Sequence, residues 1–289
     1  MRIDRHLSIH PLLRRICGAN QAGLPILMYH RVSDRTEGRH PYFETNISAA
    51  ALDRHLQYLY THQFRSASLS HLQELPPRQP VEKRRVVITF DDAFQSFYTD
   101  ALPLLGKYGF GAILFVPSGL VGKAQTVLGP EPIMTWAQIG EAHQQGVEIG
   151  SHTVNHWNLY RADPAVLKTE IKNSKAEIED HLGESIRSFA YPYAFPEHDR
   201  HFCNYLSRLL EEAGYEHGVS TSIGRAKAED NRFFLPRLPV NSHDDLDLFA
   251  AKLDGYYDWL YTPQYIHKLL KSALSSRKRL AAAALSARS

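Results

Sequence analysis

Short apolar runs alternate along the chain with stretches whose apolar residues recur every three or four positions. The runs Pro25–Tyr29, Val86–Phe90, Ala112–Val116, Val147–Ile149 and Ser188–Tyr191 predict strands. Helical patterns lie between them. Ser48 stands as a cap ahead of Leu52, Leu56, Leu59 and Tyr60, which share one face. Tyr98–Lys107 and Thr135–Gln145 are shorter patterns, the second opening on a threonine cap. Pro164–Leu182 is the clearest. Asp163 precedes it, Pro164 suits the first helical position, Gly183 follows, and Leu167, Ile171, Ile178 and Leu182 form one stripe. Cys203–Ala213 and Leu246–Leu253 complete the set. Strand–helix alternation at this spacing predicts an α/β fold with a mostly parallel sheet. No internal repeat is visible, Pro76–Pro80 reads as a connector, and composition changes near Thr262–Pro263.

The chain has 289 residues, 43% hydrophobic and 22% charged, enough apolar material for a full core. No apolar run reaches the ~18 residues a membrane-spanning helix needs. Cys17 and Cys203 cannot form a disulfide framework. Met1–Asn20 is broken by Asp4, His6, His10, Pro11, Arg14 and Arg15, so no secretory signal is read there and the expected location is the cytoplasm. Charge divides the chain more sharply than its total of +2 suggests. Residues 1–23 carry +3 and residues 259–289 carry +6 with no acid, which leaves −7 for residues 24–258. An acidic body argues against nucleic acid as a partner. The basic ends suit an anionic surface. Ile266, Leu269, Leu270, Ala273 and Leu274 fall on one helical face beside Lys268 and Lys271, the pattern of a peripheral membrane contact on the cytoplasmic face or of a helix packed on the body.

Four groups of residues at or just after predicted strand ends carry candidate chemistry. Asp91 and Asp92 close the run Val86–Phe90; read alone they are either paired catalytic acids or a helix cap with a solvated neighbour. Their side chains leave a strand in opposite directions, which assigns them different tasks. His152 and His156 lie four apart after Glu148–Ser151, as metal ligands or as ordinary histidines in a chain with 16 of them. Tyr191-Pro192-Tyr193 ends a fifth strand, and His30 ends the first. In a barrel such strand ends converge on one face.

Taken together these stretches resemble the polysaccharide deacetylase family, carbohydrate esterase family four. Thr89-Phe90-Asp91-Asp92-Ala93 resembles its first motif, T-F-D-D-G, and His152-Thr153-Val154-Asn155-His156 its second, H-[ST]-x-x-H. Ala101–Leu105, Ala112–Val116 and Met134-Thr135-Trp136 add support, and the likeness runs from about Leu24 to Phe249. It implies a distorted (β/α)7-type barrel as a single catalytic domain over residues 24–258. A basic segment, 1–23, precedes it, and a basic amphipathic or disordered tail, 259–289, follows. It implies a divalent metal ion, zinc first with nickel, cobalt or iron as substitutes, held by Asp92, His152 and His156. Asp91 would be the general base, the Tyr193 N–H an oxyanion donor, and Thr153 would steady the histidine loop. The family's third motif often carries an arginine that orients the base; here those positions are Ser188 and Ala190. Phe189–Tyr193 is instead similar to the poly-N-acetylglucosamine deacetylase branch, in which an early Tyr-His dipeptide supplies the general acid. Tyr29-His30 fits that role, with His243 and His267 as alternatives. Ala93 and Ala194 stand where the family has glycine.

The implied reaction is removal of N-acetyl groups from an amino sugar, in a polysaccharide or in a lipid-linked or nucleotide-linked precursor. Without an export signal the precursor is the expected substrate. Two other readings stay open: a glycan-binding relative without turnover, and a deacylase of small non-sugar amides. Trp136, Trp157 and Tyr191 are candidates for stacking on sugar rings.

Overall fold

Seven parallel strands close into a ring in the computed structural model, which describes residues 2–10, 23–35, 42, 44–74 and 84–271. They are β1 (Ile26–Tyr29), β5 (Arg85–Phe90), β6 (Ile113–Val116), β7 (Glu148–Ser151), β8 (Ser188–Ala190), β9 (His217–Ile223) and β10 (Leu235–Pro239). Neighbours follow chain order, and β1 closes the ring by pairing with both β10 and β5. β2 (Arg31–Val32) pairs with β3 (Asn46–Ile47), and β4 (Arg65–Ser66) lies beside the start of β5. The expected distorted (β/α)7 barrel is what the chain forms.

Alternation along each strand sorts the core into two layers. Ile26, Val87, Ile113, Phe115, Ala190, Val219 and Leu235 point inward as one apolar plug. Leu27, Ile88, Leu114, Val116 and Phe189 face the helices outside. The helices are α1 (Ile3–Ile9), α2 (Ala49–Thr61), α3 (Leu102–Tyr108), α4 (Trp136–Gln144), α5 (Pro164–Leu182), α6 (Arg200–Glu212), α7 (Leu246–Leu253) and α8 (residues 261–271). Local chemistry sets their ends. The Ser48 hydroxyl accepts from the Ala51 N–H at 3.1 Å to open α2, and Thr135 forms a reciprocal capping box with Gln138 at α4. Gly183 ends α5 in the left-handed region, as its position suggests.

The strand pattern missed β9 and β10. β9 reads His-Gly-Val-Ser-Thr-Ser-Ile, with little apolar signal, and β10 holds two prolines and an arginine. Prolines normally argue against a central strand. They are accommodated here beside a register irregularity between β9 and β10.

The two ends are tied down where they are described. Arg2 pairs with Asp4 at 2.6 Å and with buried Asp244 at 2.8 Å, and Arg5 with Asp245 at 2.5 Å. These two arginines of the basic amino-terminal segment therefore face acids of the barrel; Arg14 and Arg15 lie outside the described residues. α8 runs through the compositional change at Thr262–Pro263. Its Gln264 side chain accepts from the Ile223 N–H and donates to the Thr221 carbonyl, both at 3.0 Å, so α8 is fastened to β9. Lys268 turns onto Glu197 at 2.9 Å, while Ile266, Leu269 and Leu270 are exposed. Ala273, Leu274, the remaining tail, Cys17 and the Pro76–Pro80 connector lie outside the described residues. No helix among the described residues is long and apolar enough to cross a membrane.

Candidate active site

β5 delivers both aspartates to the carboxyl end of the barrel, by different routes. Asp91 continues the inward row of Val87 and Thr89. Asp92 follows in the left-handed region, φ 76°, and Ala93 is left-handed too, at 51°. That reversal turns Asp92 toward the loop after β7 instead of out toward the helices. Thr153 (69°), His156 (54°) and Tyr193 (60°) share this conformation, and Gln63 is the remaining non-glycine residue with positive φ among the described residues. Backbone strain of this kind gathers where a constellation of side chains must be held. It also explains why glycine suits the position of Ala93.

Asp92, His152 and His156 are buried and offer ligand atoms within 4.8 Å of one another. The Nε2 atoms of His152 and His156 lie 3.5 and 3.4 Å from Asp92 Oδ1. His152 Nδ1–H donates to the Ala190 carbonyl at 2.8 Å, which leaves the Nε2 lone pair facing inward. Burial lowers both histidines below their ordinary pKa, His156 to about 2 with His152 adding to the effect. Both rings are therefore neutral donors at neutral pH. Burial, with Asp91 beside it, pushes the Asp92 carboxyl well above its usual range. Its Oδ1 has no hydrogen bond. A buried oxygen without a partner, facing two neutral imidazole nitrogens, fits a divalent cation; zinc, nickel, cobalt and iron all accept this nitrogen–oxygen set.

Asp91 has a separate partner that sequence reasoning missed. Arg237 of β10, fully buried, donates from Nη1 to Oδ1 and from Nη2 to Oδ2, each at 2.7 Å. Its Nε donates to the Ser220 carbonyl at 2.9 Å, beside the β9 irregularity, and its Nη1 also reaches Thr89 Oγ1 at 3.1 Å. Burial opposes the Asp91 charge, but Arg237 and His152 outweigh it and hold the carboxyl well below the carboxylate range. The arginine absent from Ser188 and Ala190 thus arrives from another strand. Its one signal in the sequence is a charged residue inside the apolar run Leu235–Pro239.

His30 Nε2 stands 3.8 Å from Asp91 Oδ2, whereas His243 and His267 are exposed. Burial brings His30 down to about 4. The resting ring is therefore neutral at neutral pH. The Tyr193 carbonyl accepts from the Thr221 hydroxyl at 2.8 Å, and its ring lies 4.6 Å from His156. The Thr153 hydroxyl, expected to steady the histidine loop, has no hydrogen bond among the described residues. Glu170 of α5 bonds that loop instead. Its signal was legible: an acid between Leu167 and Ile171 on the apolar stripe of its helix. Of the three candidate stacking aromatics, Tyr191 is buried and Trp136 stacks on His181 at 4.0 Å; Trp157, beside His156, is 47% exposed.

Comparison with known proteins follows the same lines. Residues 78–216 match the family profile described as polysaccharide deacetylase. YxkH of Bacillus subtilis (strain 168), named for polysaccharide deacetylation, is 29% identical over 239 residues, 81% of this chain and 77% of its own. The poly-beta-1,6-N-acetyl-D-glucosamine N-deacetylase of Staphylococcus aureus (strain MRSA252) is 22% identical, over 74% of this chain and 73% of its own. Among solved structures, the Streptococcus pyogenes deacetylase PplD, in complex with acetate, superposes with a TM-score of 0.67 at 26% identity, covering 81% of this chain and 99% of that one. IcaB from Ammonifex degensii gives 0.64 at 25% identity, covering 81% and 97%. Both motifs lie inside the matched stretch and the barrel is shared with these relatives, so over residues 78–216 the chain resembles the polysaccharide deacetylase family.

Proposed function

We propose that this protein is a metal-dependent hydrolase that removes N-acetyl groups from N-acetylglucosamine residues of a polysaccharide. The observation that carries the proposal is the pairing of two separate devices at one barrel mouth: the Asp92–His152–His156 cluster and the Asp91–Arg237 pair beside His30. A glycan-binding relative would need neither. The polymer is favoured over a precursor because the relatives with named substrates act on poly-N-acetylglucosamine. Contact of α8 with an anionic membrane, through Ile266, Leu269 and Leu270, belongs to the same proposal; truncation at Thr262 is expected to abolish sedimentation with anionic vesicles.

An amide carbonyl is a poor electrophile and an amine anion a poor leaving group. A divalent ion held by Asp92, His152 and His156 would supply Lewis acidity, polarising the carbonyl and acidifying water. Asp91 accepts a proton from the attacking water. Arg237 keeps that carboxylate too acidic to hold the proton, and His30 Nε2, 3.8 Å from Oδ2, receives it. The water oxygen bonds to the carbonyl carbon, and the Tyr193 N–H donates to the oxyanion that forms. His30 then passes its proton to the sugar nitrogen as the carbon–nitrogen bond breaks. The products are acetate and the free amino sugar. Acetate release from β-1,6-linked N-acetylglucosamine oligomers, with chelator-treated protein as control, tests the proposal. Release that stops with chelator and returns with zinc is expected. Zinc-loaded protein that binds the oligomers and releases no acetate would favour the binding-protein reading.

A further inference from the structure

Nearly every backbone group between the two histidines has an identified partner. The His152 N–H donates to the Val116 carbonyl at 2.9 Å, and the Thr153 N–H to the Ser151 hydroxyl at 3.3 Å. The Thr153 and Val154 carbonyls accept from the N–H groups of Ser118 at 3.1 Å and Gly119 at 2.9 Å. A Cβ on Gly119 would stand 2.8 Å from Val154 Cγ1, so the loop is seated directly on the 118–120 turn. Two donors remain, the N–H groups of Val154 and Asn155. Both converge on Glu170 Oε2, at 2.9 and 2.8 Å, and Asn155 Nδ2 donates to Oε1 at 2.8 Å.

Glu170 is 4% exposed and sits on the buried stripe of α5 with Leu167, Ile171, Ser174 and Ile178. A negative charge is costly at such a position unless donors surround it. The three donors all belong to the loop that carries the histidines. That loop is strained at both Thr153 and His156, and a β-branched residue at positive φ persists only where its surroundings over-determine it. Charge-assisted bonds to a rigid helix supply that constraint.

We propose that Glu170 is a positioning residue for the metal centre. Its carboxylate clamps residues 154–155 in the shape that aims the Nε2 atoms of His152 and His156 at Asp92. The inference rests on the reading of those three residues as a metal site. It is tested with zinc-loaded full-length protein transferred into excess chelator. Zinc release is timed, and amide hydrogen exchange at Val154 and Asn155 is followed, for wild type, Glu170→Gln, Asn155→Ala and Asp92→Asn. Glu170→Gln keeps the shape but cannot accept at both atoms. It is expected to release zinc about tenfold or more faster, in line with partners one step behind metal ligands. The two amides are expected to lose protection while the melting temperature of the metal-free protein holds. Asn155→Ala, which removes only the Oε1 bond, is expected to fall between Glu170→Gln and wild type. Wild-type release from Glu170→Gln would overturn the inference. So would a lower metal-free melting temperature with release unchanged, the mark of a merely structural role. Should Glu170→Gln not fold, Asn155→Ala decides: faster release supports the clamp and wild-type release contradicts it. Failure of the underlying metal reading looks different, because wild type would then take up no zinc, or Asp92→Asn would hold it as tightly as wild type.

Discussion

Arg237 grips Asp91 through two parallel hydrogen bonds of 2.7 Å, with both side chains buried at the barrel mouth. The fork fixes the carboxylate plane and keeps it ionised. A lysine would bring the charge without the fork. Arg237→Lys is expected to lower turnover about 100-fold, the scale of a misplaced catalytic group. Arg237→Ala strands a buried carboxylate and is expected to cost about 3–5 kcal/mol of stability. Steady-state rates and urea unfolding check both; Arg237→Lys turning over at wild-type rate would contradict the assignment.

Much of this arrangement could be read from the chain, and the remainder fails for physical reasons. Five of the ring strands announce themselves as apolar runs, because parallel strands are covered on both sides. The Asp92 and His152–His156 sites lie at the ends of such runs, so the strands that were visible also placed the ligands. β9 and β10 hide because they hold polar and proline residues around the Arg237 site. Arg237 and Glu170 are long-range partners, 146 residues from Asp91 and 15 from Asn155. Spacing along a chain carries no record of which buried charge another will meet.

His30 and His152 separate proton transfer from ion binding. His30→Ala is expected to lose about 10²–10⁴-fold in turnover, the range of a missing acid–base group, and to keep its metal. His152→Ala is expected to lose both. Rates measured beside metal content distinguish them; a His30→Ala protein with near-full rate would remove His30 from the reaction.

Trp157 offers an exposed ring next to His156. If it stacks on the sugar, Trp157→Ala raises KM on oligomers by about tenfold, a stacking loss of ~1.4 kcal/mol, with kcat held. A fall in kcat at constant KM would argue against a binding platform.

His55 makes stability depend on pH. Its ring stacks on Phe249 at 4.1 Å, its Nε2–H donates to the Asp244 carbonyl at 3.0 Å, and burial lowers its pKa to about 4. An unfolded histidine titrates near ~6.5. As pH falls the unfolded state takes up the proton first. The contribution is complete above about 6.5 and is lost down to about 4, at up to about 1.4 kcal/mol per pH unit. His55→Phe keeps the packing without the titration and is expected to flatten that slope. Urea unfolding at a series of pH values measures it; equal slopes would contradict the burial argument.

Metal stoichiometry reaches the whole account most directly. Purified protein, stripped with chelator and titrated with zinc, is predicted to bind one equivalent tightly, and Asp92→Ala and His156→Ala to bind none. Wild-type protein that takes up no zinc, or either variant that binds it as wild type does, would contradict the account.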